Sequence, residues 1–327
     1  MDAPFTLVIV AQSGRLQYEA LLFAHALHRA APDLMGALHI AEPQPGPLWP
    51  ADPRIDPAIK ADLVALGARI SPFESRHFGA AYPYGNKIEC LAALPAGRPF
   101  LFFDTDTLLL DDPRRLPIDF NRPAASMRRE GTWPAPHDGW PGYHAVWSAL
   151  YEKFGLDMAG SCDPAFPPDH WAHYLYFNAG WFFGPDPHSF GQRFCEMALS
   201  IRDDTPPALQ GQKLDPWLDQ VALPLVVHSF GGGRPAADIA GLDGAVSCHW
   251  RNLPLLYARE SDSAVALMED LAHSQRLKKH LRDWMPAKRM IYQRKGAKAR
   301  ALFDRAALPA REQVIRKTLK AEGLWIV

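Results

Sequence analysis

Residues Phe100 to Leu110 constrain this chain most. Phe-Leu-Phe-Phe runs straight into Asp104-Thr105-Asp106, and a second apolar run, Leu108 to Leu110, follows. An unbroken apolar run of strand length is what a strand buried on both faces of a parallel sheet looks like. Side chains at the carboxyl ends of such strands face the crevice where α/β proteins bind ligands. Two carboxylates placed there, one residue apart, make a seat for a hard divalent cation, which takes oxygen donors and tolerates several waters. A cation held by so few protein groups keeps positions for the oxygens of a substrate diphosphate. The same pair also suits a simple turn cap after a buried strand.

The surrounding chain alternates as such a strand requires. Phe5 to Ala11 is another continuous apolar run, broken by Ser13-Gly14, after which Leu16, Ala20, Phe23 and Leu27 recur at helical spacing. Ala37 to Ala41 reads as a strand. Asp56 is placed to cap a helix over Pro57 to Leu66 that Gly67 ends. Asn86 is placed to cap another, carrying Lys87, Ile88, Leu91 and Leu94 and stopped by Pro95 and Gly97. This alternation predicts an α/β fold with a mostly parallel, doubly wound sheet.

From about 112 to 170 the pattern dissolves into Pro, Gly, Trp and His around one expected helix, Ala145 to Phe154. A loop region this long is functional more often than idle. A strand is expected over Tyr174 to Phe183, interrupted at Asn178-Ala179-Gly180, and then a helix over Pro187 to Arg202. Trp217 to Val227 reads as a short helix leading to a strand, and Ala245 to His249 as a brief strand. Helices follow from Ser261, with Val265, Met268, Leu271 and Leu281 as candidate buried positions.

With 48% hydrophobic and 22% charged residues, the 327-residue chain has an ordinary globular composition and ample core for one large or two small domains. A net charge of −1 argues against a whole-protein grip on nucleic acid. The four cysteines, Cys90, Cys162, Cys195 and Cys248, form no Cys-x-x-Cys pair, which argues against zinc or a disulfide framework and for a reducing compartment. Phe5 to Ala11 is too short for a membrane span and lacks a basic leader, so the expected location is the cytoplasm.

Several patches, in order over residues 5–250, resemble the GT-A glycosyltransferases, and within them the glycogenin-like retaining family 8. Asn86-Lys87-Ile-Glu-Cys-Leu91 is similar to that family's Lys-bearing helix, and Phe102-Phe103-Asp104-Thr105-Asp106 to its Asp-x-Asp strand. Phe177-Asn178-Ala179-Gly180 resembles its Phe-Asn-Ser/Ala-Gly strand, Asp219-Gln220 its later Asp-Gln, and His249 the histidine that completes its metal site. The resemblance implies Mn²⁺, or Mg²⁺, on Asp104, Asp106 and His249, bridging the phosphates of a nucleotide-sugar donor. It implies that Lys87 lies beside the leaving phosphates, that Asn178, Asp219 and Gln220 surround the sugar, and that Gln12 and Thr105 lie along the nucleotide. The family's Lys-Pro-Trp segment after the histidine is missing: here Trp250-Arg251-Asn252-Leu253-Pro254 follows, and Arg251 is the cation that would replace it.

The implied activity is hexose transfer, with retention, from a UDP-sugar to a glycan or lipid-linked acceptor. The implied division is a catalytic unit, 1–255, with an acceptor insertion at 112–170, and a helical extension, 256–327. Two other functions fit part of the pattern. A non-catalytic sugar-binding relative would explain the missing Lys-Pro-Trp segment. A haloacid-dehalogenase-type phosphatase also uses an apolar strand ending in Asp-x-Asp, although Leu108 stands where that motif wants Thr or Val.

Bland readings stand beside these. Lys87 is equally a solvated lysine, His249 a structural histidine, and Asn178-Ala-Gly a strand bulge where Gly180 admits close backbone approach. Gly231-Gly232-Gly233 reads as a flexible turn rather than a phosphate nest. Trp133, Trp140, Trp147 and Trp171 form either a sugar platform or the packing of an irregular segment. Residues 276–300 carry ten Lys or Arg against one Asp, which fits a solvated helical face or peripheral contact with an anionic membrane.

Overall fold

Continuous apolar strands need cover on both faces, and this chain supplies it by alternation. The computed structural model describes residues 3–128 and 132–327. Its strands are β1 (Thr6–Val10), β2 (Leu38–Pro43), β3 (Arg69–Phe73), β4 (Phe100–Phe103), β5 (Thr107–Leu109), β6 (Trp181–Gly184) and β7 (Ser247–His249). Five of them form one sheet in the order β3-β2-β1-β4-β6, parallel except for β6, which runs antiparallel to β4. The remaining two, β5 and β7, pair antiparallel beside it. The expected mostly parallel, doubly wound sheet is the architecture found.

The helices are α1 (Arg15–Ala30), α2 (Pro57–Ala65), α3 (Asn86–Glu89), α4 (Tyr143–Lys153), α5 (Pro187–Asp203), α6 (Leu218–Ser229), α7 (Leu253–Arg259), α8 (Asp262–His273), α9 (Gln275–Leu281), α10 (Met285–Ala287), α11 (Lys295–Ala301) and α12 (Glu312–Ala321). Strand side chains alternate between two cores. Leu7, Ile9, Leu101 and Phe103 meet α1, α8, α9 and α12 on one face, through Phe23, Met268, Leu281 and Leu319. Val8, Val10, Phe100 and Phe102 meet α4, α5 and α6 on the other, through Trp147, Phe190, Phe194 and Val221. Residues from 256 onward therefore bury their apolar side in the same core as β1.

Local chemistry explains several boundaries. Asp56 caps α2 as expected, its carboxylate accepting from the Ala58 and Ile59 amides. Asp186 caps α5 by accepting from the Ser189 amide. Asn86 is no cap. It is the first residue of the single turn of α3, and its side-chain Nδ2 donates to Gln12 Oε1 at 2.8 Å, after which the chain tightens to a 3₁₀ turn at Cys90–Ala93. The expected strand over Tyr174 to Phe183 is reduced to β6, because Tyr174 to Phe177 are buried by α4 and α6 side chains rather than by sheet pairing. No strand directly follows α6; Phe230 and the glycines turn the chain, and the next strand is β7. That turn is tight at Gly232, where a Cβ would lie 2.0 Å from the Pro123 carbonyl oxygen.

The basic stretch 276–300 buries Leu277, Leu281, Trp284, Met290 and Ile291 and holds Arg276, Arg282, Lys288, Arg289, Arg294 and Lys298 exposed. No helix among the described residues is long and apolar enough to cross a membrane. Of the tryptophans, Trp133 and Trp147 are buried against each other edge to face, which makes them packing rather than platform.

His39 on β2 is buried with Nδ1 2.8 Å from Ser71 Oγ, and burial, with Arg69 and Arg98 adding, pushes its pKa down to about 4. The folded protein therefore refuses a proton that the unfolded chain accepts below about pH 6.5. Stability is fully present above that pH and falls as pH drops toward 4. Unfolding free energies from denaturant titrations at pH 7 and pH 4.5 are expected to diverge by about 1–3 kcal/mol more in wild type than in His39→Gln. Equal losses in both would show that this imidazole is not the cause.

Candidate active site

Asp104 follows directly on β4, and its amide donates to the Gly180 carbonyl at 2.9 Å, which ties the strand end to the turn before β6. Asp106 immediately precedes β5. The β5–β7 register sets Thr107 opposite His249, and the Trp250 amide donates to the Asp106 carbonyl at 2.9 Å. His249 Nε2 is consequently 3.1 Å from Asp106 Oδ1 and 3.9 Å from Asp104 Oδ2. One ligand atom from each of Asp104, Asp106 and His249 falls within 4.8 Å of the others. Two carboxylates and an imidazole so converged form a donor set that suits a divalent cation with open positions.

The charges around this triad are arranged, not scattered. Lys87 Nζ is 3.0 Å from Asp104 Oδ1 and 3.3 Å from Asp219 Oδ2. Burial lowers its pKa, but the two carboxylates more than offset that and hold it above an ordinary lysine. Asp219, only 1% exposed, is shifted upward by burial against the pull of Lys87. Tyr82 orients it: the hydroxyl donates to Asp219 Oδ1 at 2.8 Å and accepts from the Asp219 amide at 3.0 Å. Asp106 is pushed up by burial, yet His249, Arg15 and Lys87 together carry it below the usual carboxylate range. Beneath the Asp-x-Asp turn, fully buried Glu19 accepts from Thr105 Oγ1 at 3.1 Å and pairs with Arg15 Nε at 3.2 Å. Burial, reinforced by Asp106, drives Glu19 well above the usual range.

Gly180 is required by closeness. A Cβ there would lie 2.3 Å from His249 Nδ1 and 2.9 Å from Asn178 Oδ1. The preceding Ala179 already takes a left-handed φ of 61°. Gly180→Ala is expected to push the imidazole out of the triad and to weaken any divalent-cation binding there by about tenfold or more, read by titration calorimetry. Unchanged affinity would mean that His249 is dispensable for the cation.

The triad opens on a cleft of about 660 Å³, within the usual range for small-molecule sites. Lys87, Asp104, Thr105, Asp106, Asn178, Gln220, His249 and Arg251 all line it. Two expected site residues do not. Gln12 reaches the cleft only through its bond to Asn86, and Asp219 only through Lys87. Gln220 is held by the Tyr176 hydroxyl, which donates to its Oε1 at 2.9 Å.

Sequence reasoning missed Arg15, Tyr84, Tyr176, Trp217, Glu312, Gln313 and Arg316, which also line the cleft. One signal was available nearby. Glu19 falls on the apolar face shared by Leu16, Ala20 and Phe23, where a carboxylate has no place unless it is paired. Glu312 and Arg316 carried no such signal.

This sheet, with an acidic strand end opening on a cleft, defines an α/β ligand-binding protein, and a direct match supplies the chemistry. The Rhodobacterales glycosyltransferase domain model matches residues 7–231, from β1 through the end of α6. The chain belongs to the Rhodobacterales glycosyltransferase domain family, and it is a glycosyltransferase. That assignment displaces both the phosphatase and the non-catalytic readings.

No curated protein matches the chain in sequence. Among solved structures, the galactosyltransferase LgtC in complex with donor and acceptor sugar analogs is similar at 17% identity, over 70% of this chain and 72% of that one, with a TM-score of 0.41. The glycosyltransferase GlyE of Streptococcus pneumoniae TIGR4 is similar at 10% identity, over 99% of this chain and 64% of that one, with a TM-score of 0.39. Mouse xyloside xylosyltransferase 1 is similar at 11% identity, over 74% and 82%, with a TM-score of 0.32. Likenesses this distant say nothing about donor or acceptor.

Proposed function

We propose that this glycosyltransferase uses Mn²⁺ or Mg²⁺ and transfers a hexose from a UDP-sugar, with retention, to a glycan or lipid-linked acceptor. The observation that carries the reading is the convergence of Asp104, Asp106 and His249 at the floor of a cleft that Lys87 also lines. When bound there, a divalent cation supplies Lewis-acid stabilisation of the charge that develops on the departing diphosphate. The chain's own groups do the rest. Lys87, fixed between Asp104 and Asp219, presents a permanent positive charge where negative charge accumulates. Gln220, braced by Tyr176, and Asn178, whose amide donates to the Ser126 carbonyl at 2.8 Å, are placed to orient sugar hydroxyls.

The acceptor is proposed to enter past the 112–170 segment, from which Thr132 lines the cleft, and 256–327 is proposed as an extension that completes a catalytic unit spanning 1–255. Calorimetry with UDP, GDP and CDP, with and without Mn²⁺, tests the donor reading, and chromatography of UDP released from UDP-hexoses tests turnover. Binding that vanishes with a chelator is the expected result. Failure of every nucleoside diphosphate to bind in the presence of Mn²⁺ would overturn the reading.

A further inference from the structure

The chain lacks a Lys-Pro-Trp segment after His249, but the same cleft receives guanidinium groups organised by the far end of the chain. Glu312, the first residue of α12, is 5% exposed. Its Oε2 lies 2.5 Å from Arg259 Nη1 and 3.6 Å from Arg251 Nη1, and its Oε1 2.5 Å from Arg316 Nε. Buried Glu260 joins the network through Arg259 at 2.8 Å and Arg128 at 2.7 Å. Among the described residues, two carboxylates, Glu260 and Glu312, are thus set among four guanidiniums, Arg128, Arg251, Arg259 and Arg316.

Arg251 and Arg316 both line the cleft with Asp104, Asp106 and His249. Arg251 is fixed by its backbone, at a left-handed φ of 64°, immediately before Asn252, the residue that caps α7. Arg316 lies over the Trp325 ring, with its guanidinium carbon 5.3 Å from the centroid, while Ile315 and Leu319 anchor α12 in the core. Planar guanidiniums held by a buried carboxylate are pre-organised for a phosphate, and they lose little freedom on binding one.

We infer that Glu312 is a positioning residue that holds Arg251 and Arg316 as a paired grip on the diphosphate of the nucleotide donor. The C-terminal helix is then part of the donor site, and this inference rests on the proposed nucleotide-sugar reading.

The test uses the full chain with Mn²⁺ and whichever of UDP, GDP or CDP binds tightest, compared with the matching monophosphate and nucleoside. Arg316→Ala and Arg251→Ala are expected to weaken diphosphate binding by about tenfold each, the monophosphate less and the nucleoside not at all. Glu312→Gln is expected to show the same selective loss, with donor KM raised more than kcat is lowered, and Glu312→Asp to restore part of it. Should Glu312→Gln fail to fold, the two arginine variants still read the grip. If all variants bind diphosphate within about twofold of wild type while Asp104→Ala/Asp106→Ala abolishes binding, the grip is wrong and the metal-site reading stands. Equal loss for nucleoside and diphosphate would reduce Glu312 to a purely structural role. No diphosphate binding by wild type would remove both proposals.

Discussion

Asp104→Ala/Asp106→Ala is expected to lower sugar transfer about a thousandfold, equivalent to roughly 4 kcal/mol of transition-state stabilisation, and to abolish Mn²⁺-dependent UDP binding. The two carboxylates supply two of the three converging donor groups, and His249 alone cannot retain a hard cation. Folding should survive, because Lys87 keeps Asp219 at 3.3 Å and the β5–β7 pairing does not depend on either side chain. The readouts are initial rates of UDP release and calorimetric heats, with circular dichroism as the folding control. A double variant that turns over at wild-type rate would end the metal-dependent reading.

Lys87→Met is expected to damage both stability and turnover. Lys87 is 8% exposed and is the cation between Asp104 and Asp219. Its removal leaves Asp219, 1% exposed, with Tyr82 as the remaining charge-stabilising donor. Breaking a buried pair from one side costs about 3–5 kcal/mol, which lowers the melting temperature of a chain this size by roughly 10 °C. Asp219→Asn should cost much less, since Lys87 then still pairs with Asp104 at 3.0 Å. The double variant Lys87→Met/Asp219→Asn should be more stable than the sum of the single losses, because the orphaned charge is gone. Additive losses would show that Asp219 and Lys87 do not act as a pair.

Much of the fold was legible because its signals are short-range. The apolar run ending in Asp104 and Asp106, the Asp56 cap and the helix beginning at Pro187 each lie within a few residues, where backbone propensity and side-chain chemistry act directly. Three expectations failed where tertiary cover replaced local pattern. Tyr174 to Phe177 form a continuous apolar run but are buried by helices, Asn86 opens α3 while its side chain bonds Gln12 instead of capping it, and the chain after α6 turns at Gly232 against the Pro123 carbonyl instead of entering a strand.

The primary sequence by itself determined a parallel sheet with a carboxylate pair at its open end, because strand burial and the Asp-x-Asp spacing are written in consecutive residues. Only the tertiary structure decided what surrounds that pair. His249 reaches Asp106 through the β5–β7 register, Asp219 withdraws behind Lys87, and Glu312 brings Arg316 to the cleft from the end of the chain. Such pairings carry no local signature, because a buried charge finds its partner only when packing has excluded water from both.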